Sequence, residues 1–98
     1  MNERPGASYV VECFWPDVHE QQVEQAAARA RRGAEQLTSE GKPVAFTGSI
    51  LIREDEVVLY LFDAVSAQAV REACDRAAIR FERVVDSVQR PAAIGDAG

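Results

Sequence analysis

Residues 57 to 62 read Val-Val-Leu-Tyr-Leu-Phe, six apolar side chains in a row between the acidic triplet Glu54-Asp55-Glu56 and Asp63. The run is short and rich in β-branched and aromatic residues, so it predicts a strand. Successive strand side chains leave on opposite faces, which sets Val57, Leu59 and Leu61 against Val58, Tyr60 and Phe62. Both faces of this strand are apolar. It belongs inside a sheet, and something must shield each side.

The neighbouring segments supply the rest of that sheet. Ser8 to Trp15 is β-branched and aromatic and stops at Pro16, which predicts a first strand. Asp17, with Glu20 three positions on, predicts a helix cap, and Val23, Ala26, Ala27, Ala30, Ala34 and Leu37 then recur at helical spacing until about Gly41. Val44 to Arg53 pairs with Val57 to Phe62 as a hairpin around the acidic turn, with a bulge or bend at Gly48. Ser66 caps a second helix with the stripe Val70, Ala73, Cys74 and Ala77, and Phe81 to Val88 closes the series as a strand.

The order is βαββαβ, the split βαβ of a ferredoxin-like α+β fold. Two helices cover one face of a four-stranded antiparallel sheet whose first and third strands are central. Ninety-eight residues hold one domain, placed at 8–90, with a flexible N-terminus at 1–7 and a disordered tail at 91–98. The first strand repeats the two-faced pattern, with Tyr9, Val11, Cys13 and Trp15 against Val10 and Phe14. A homodimer in which two sheets meet face to face, as an α/β sandwich or barrel, is therefore expected, with Val58 and Tyr60 placed on the shared face.

Eleven Lys and Arg against sixteen Asp and Glu give a net charge of −5, which repels a nucleic-acid backbone. The one basic cluster, Arg29, Arg31 and Arg32, is read as a solvated helix face. Tyr60 and Phe62 have the spacing of base-stacking aromatics, yet the acidic triplet stands where basic residues would be needed, so no nucleic-acid partner is expected. No apolar run approaches the roughly 20 residues of a membrane span, and Met1 to Ala7 contains no apolar stretch, so no export signal is expected. The chain is expected to be cytoplasmic, with Cys13 and Cys74 as reduced core thiols.

Glu12 to His19 gathers the residues most capable of chemistry. Glu12 lies in mid-strand, where a carboxylate must be paired, protonated or bound to a cation. It is either an acid/base or metal ligand in a groove, or a strand-edge carboxylate partnered by arginine or exposed to water. Cys13 leaves the opposite face. Asp17 is read as the cap and His19 as a solvated first-turn residue; with Glu12 they are the candidate metal donors, too few to complete a coordination sphere without a partner subunit.

The chain resembles a family of small, mostly uncharacterised ferredoxin-like proteins, many of them actinobacterial, that includes a nickel-binding member. The residues that carry the resemblance are Tyr9-Val-Val-Glu12 with Pro16, Val44-x-Phe46-x-x-Ser49 with Glu54-Asp55, Leu61-Phe-Asp-Ala64 with Ser66, and Ala69 to Ala77 running into Phe81-Glu-Arg-Val-Val85. The resemblance implies a dimeric α+β sandwich and a divalent metal such as nickel as one ligand. Relatives place a histidine in the second helix, where this chain has Ala73-Cys74. The leading expectation is a small cytoplasmic dimeric ligand-binding protein. The alternative is a cofactor-free monooxygenase- or cyclase-like enzyme acting on a small organic substrate in the sheet groove, and in either case Glu12, Trp15 and Tyr60 are the expected lining. Whether the protein is an enzyme stays open at this point.

Overall fold

A computed structural model describes residues 6–88. The expected tail at 91–98 lies outside this range, as does the expected flexible N-terminus apart from Gly6 and Ala7. Ala7 belongs to the first strand. The elements are β1 (Ala7–Phe14), α1 (Glu20–Ser39), β2 (Val44–Ile52), β3 (Val57–Ala64), α2 (Ala67–Arg76) and β4 (Arg83–Ser87). The strands pair antiparallel in the order β2-β3-β1-β4, so β1 and β3 are central, as the sequence predicts. The register between β2 and β3 slips between Phe46 and Gly48, where the glycine predicts a bulge. No helix among the described residues is long and apolar enough to cross a membrane.

One cluster of buried side chains lies between the sheet and both helices. Tyr9, Val11 and Cys13 of β1 and Val58, Tyr60 and Phe62 of β3 meet Val23, Ala26, Ala30, Ala34 and Leu37 of α1 and Val70, Ala73 and Cys74 of α2. This corrects the placement of Val58 and Tyr60. They point at the helices, and the uncovered face carries Val57, Leu59 and Leu61. Parity alone separates the two sets without saying which one the helices take, and with both sets apolar the pattern offers no further hint.

The start of α1 is a second correction. Asp17 has φ 60, in the left-handed region, and the cap position falls two residues later, at His19. Gln22 closes this end by accepting the His19 N–H at 2.8 Å. The loop before it is tied to the β2–β3 turn: the Trp15 N–H donates to the Glu56 carbonyl (2.7 Å) and the Asp17 N–H to the Glu56 carboxylate (2.8 Å). At α2 the expected cap is present, Ser66 Oγ accepting the Ala69 N–H at 3.2 Å.

Both helices end in the same way with different residues. In α1 the N–H groups of Gly41 and Lys42 return to Thr38 and Leu37, with Gly41 at φ 93. In α2 those of Ala78 and Ile79 return to Asp75 and Cys74, with Ala78 at φ 56. A left-handed residue past the last turn is the usual requirement of this ending and glycine its usual occupant, so Ala78 holds a strained position. It also turns Ile79 into the core and Arg80 out beside it.

Candidate functional site

The structure takes apart the cluster that the sequence gathers between Glu12 and His19. Glu12 stands on the uncovered face, directly across the ladder from Arg83. Arg83 Nε and Nη2 donate to its two oxygens at 2.8 and 3.3 Å, so the arginine-partnered reading is the one that the geometry realises. Cys13, one residue on, is buried on the covered face. Asp17 and His19 are exposed, in the loop and at the helix cap.

Among the described residues, no three His, Cys, Asp or Glu side chains form a group able to hold a metal ion. With Glu12 committed to a guanidinium, the donors present do not fit a resident nickel ion within one chain. The three expected lining residues separate as well, Glu12 on one face of the sheet and Tyr60 on the other. Trp15 and Tyr60, however, share a cavity.

That cavity, of about 320 Å³, opens where the end of β1, the middle of α1 and the link from α2 to β4 meet. Phe14, Trp15 and Ile79 give it apolar walls, and Arg29, Arg80 and Tyr60 are its polar lining. Among the described residues no carboxylate lines it, in a chain with more acidic than basic residues. Arg29 was expected on the solvent face beside Arg31 and Arg32. It lies three residues past Ala26 and one before Ala30, at the margin of the buried stripe, and its Nε donates to the Ala77 carbonyl at 2.7 Å. That bond fixes the guanidinium at the cavity and leaves its two Nη groups without a hydrogen-bond partner among the described residues.

Tyr60 is 1% exposed, yet its hydroxyl makes no hydrogen bond among the described residues. It is not sealed in either: among the described residues the one buried side-chain polar atom without a partner is Ser87 Oγ, so the Tyr60 oxygen is open to the cavity that it lines. Burial pushes this phenol up to about 12, assisted by Cys13, while Arg29 pulls the other way. It therefore stays a neutral donor across the physiological range. The thiols of Cys13 and Cys74 are likewise pushed up to about 12, chiefly by burial, which keeps them protonated and poorly nucleophilic.

On sequence, Trp15 and Tyr60 are expected with Glu12 in a groove of the sheet; the two share a cavity without Glu12, and neither arginine of that cavity was expected in a site. The position of Arg29 beside Ala26 and Ala30 was the available signal. Arg80 had none, because an α2 ending with alanine in place of glycine is hard to read.

The uncovered face offers a different chemistry. Val10, Val57, Leu59, Leu61 and Val85 are half-buried on it, while Phe14, Ile50 and Ile52 are 57%, 47% and 37% exposed. Polar residues interrupt it at the Glu12–Arg83 pair and toward one end, where Ser8 Oγ donates to Asp63 at 2.7 Å. Tyr60 and Phe62 face the helices, so they provide no platform on which bases could stack.

No protein-family model matches the chain, and no curated protein matches its sequence. Among solved structures, the chain is similar to the crystal structure of SCO4226 from Streptomyces coelicolor A3(2), with 15% sequence identity and a TM-score of 0.68 over 87% of this chain and 100% of that one. At this identity the likeness is one of fold.

Proposed function

We propose that the protein is a small homodimeric ligand-binding protein that holds an organic molecule in the cavity of each chain and carries out no chemistry on it. The observation that carries the reading is the Tyr60 hydroxyl, which lines the cavity without a partner among the described residues. A donor that faces a cavity with no protein partner is free to bond a ligand acceptor there, and a net hydrogen bond of this kind contributes about 0.5–1.5 kcal/mol. The volume lies at the lower end of the range for small-molecule sites, and apolar walls with a few convergent polar groups are their usual composition.

Pairing through the uncovered face belongs to the same reading. A half-solvated antiparallel sheet ordinarily alternates apolar and polar residues, and β3 does not. A second copy would remove Phe14, Ile50 and Ile52 from water. The cytoplasmic location is retained in the proposal, with two free buried thiols as its support.

Trp15 is the only tryptophan and lines the cavity, so its fluorescence reports on occupancy. The test is a titration with a library of small organic molecules, charged and neutral. Saturable quenching by at least one class, lost in a Tyr60→Phe, Arg80→Gln double variant that remains folded, is the expected result. If no compound changes the fluorescence or the melting temperature, the ligand-binding reading fails.

A further inference from the structure

The composition of the cavity narrows its occupant. Two guanidinium groups, which only donate, and one neutral phenol, which can donate or accept, make a set dominated by donors, with no charged acceptor for a cationic head group among these three side chains. Neither Arg29 nor Arg80 has a carboxylate partner among the described residues, whereas Arg53, Arg76 and Arg83 each have one. The carboxylates at this end of β1 are engaged: Glu82 accepts the Phe14 N–H at 3.0 Å and Glu56 the Asp17 N–H at 2.8 Å. A chain of net charge −5 repels anions at long range, so positive charge gathered at an apolar cavity favours an anion only locally. Planar guanidinium matches planar carboxylate through two parallel hydrogen bonds, and an indole with Ile79 suits an aromatic ring.

We infer that the cavity takes a small aromatic carboxylate, its carboxylate held by Arg29 and Arg80 with the Tyr60 hydroxyl donating to it, and its ring against Trp15. The inference rests on the ligand-binding reading and adds the class of ligand. Arg29 is positioned by its bond to the Ala77 carbonyl, so one face of its guanidinium fork is spent on the fold and the other is free for the ligand. Arg80, from the link between α2 and β4, is exposed and lines the same cavity.

The test is a fluorescence titration of the full chain with benzoate, phenylacetate and 3-phenylpropionate, each beside its neutral amide, with acetate as the ring-free control. At least one aromatic carboxylate is expected to quench Trp15 saturably, with its amide weaker by roughly tenfold or more. Arg80→Gln, which leaves the Arg29–Ala77 bond in place, should weaken the carboxylate by a similar factor and its amide little. Tyr60→Phe should weaken it several-fold. Arg29→Gln is informative only if circular dichroism matches the parent, and Arg80→Gln decides the matter where it does not. Equal binding of acid and amide, or acid binding unchanged in Arg80→Gln, would overturn the carboxylate while leaving a ligand site. Binding of acetate as tight as that of the aromatic acids would overturn the ring. No response to any of these acids or amides would overturn the inference, and the reading beneath it falls only if the wider library is silent as well.

Discussion

The two faces of the sheet are built from similar residues and come to opposite ends. On the covered face Val58, Tyr60 and Phe62 are buried beneath two helices, and on the other Val57, Leu59 and Leu61 are half-open beside exposed Ile50 and Ile52. Hydrophobicity alone therefore does not decide which face becomes the core of a chain. The helices decide it, through stripes of small residues that let them lie close to each other. At Gly33 of α1 an added Cβ would stand 2.9 Å from the Ala73 carbonyl oxygen of α2. The covered face ends in a cavity with a donor unsatisfied; the uncovered face has its carboxylate paired and its apolar side chains unshielded.

The sharpest way to break this comparison is to place one charge on each face at adjacent positions. Val58→Glu puts an unpaired carboxylate into the core and should cost more than about 4 kcal/mol, enough to abolish the native circular dichroism. Leu59→Glu, one residue on and facing outward, should leave the chain folded. Equal damage from the two would mean that the faces are not distinct within a single chain.

Alkaline titration separates the faces by a second route, because Cys13, Cys74 and Tyr60 all belong to the covered side. Each keeps its proton in the native state after the unfolded chain has released it. Stability is therefore intact below about 9, falls as the pH rises through the window between the ordinary values of 9.0 and 10.0 and the folded values of about 12, and the contribution is gone above that. Urea melts across this range should show midpoints that decline with pH. A flat profile would show that these groups are not buried together as described.

The smallest expected effect concerns the closeness of the helices. Gly33→Ala gains about 1 kcal/mol of helix propensity and pays about 1–3 kcal/mol in overpacking against Ala73, so the net change should be a loss of about 1 kcal/mol. A raised melting temperature would show that α1 and α2 can part without cost.

The order of elements was legible because the hydrophobic period switches between two and 3.6 at each boundary, and because Ser66, Gly41 and Gly48 mark a cap, an ending and a bulge with the residue types those features favour. The misreadings have physical causes. Asp17 is a good capping residue whose backbone the left-handed turn takes out of the capping geometry, leaving that place to His19. Ala78 occupies a position that glycine would have announced, and with it the turn that presents Arg80 was hidden. The pairing of Glu12 with Arg83 spans 71 residues and depends on the register of β1 with β4, which no local pattern encodes.

The central claim is that the uncovered face is for assembly and the covered face for binding. Light scattering at micromolar concentration on the parent and on Ile50→Asp tests it most directly. The account predicts twice the 10.7 kDa chain mass for the parent, and the single-chain mass with native circular dichroism for the variant. A monomeric parent, or a dimer that survives a charge at Ile50, would contradict it.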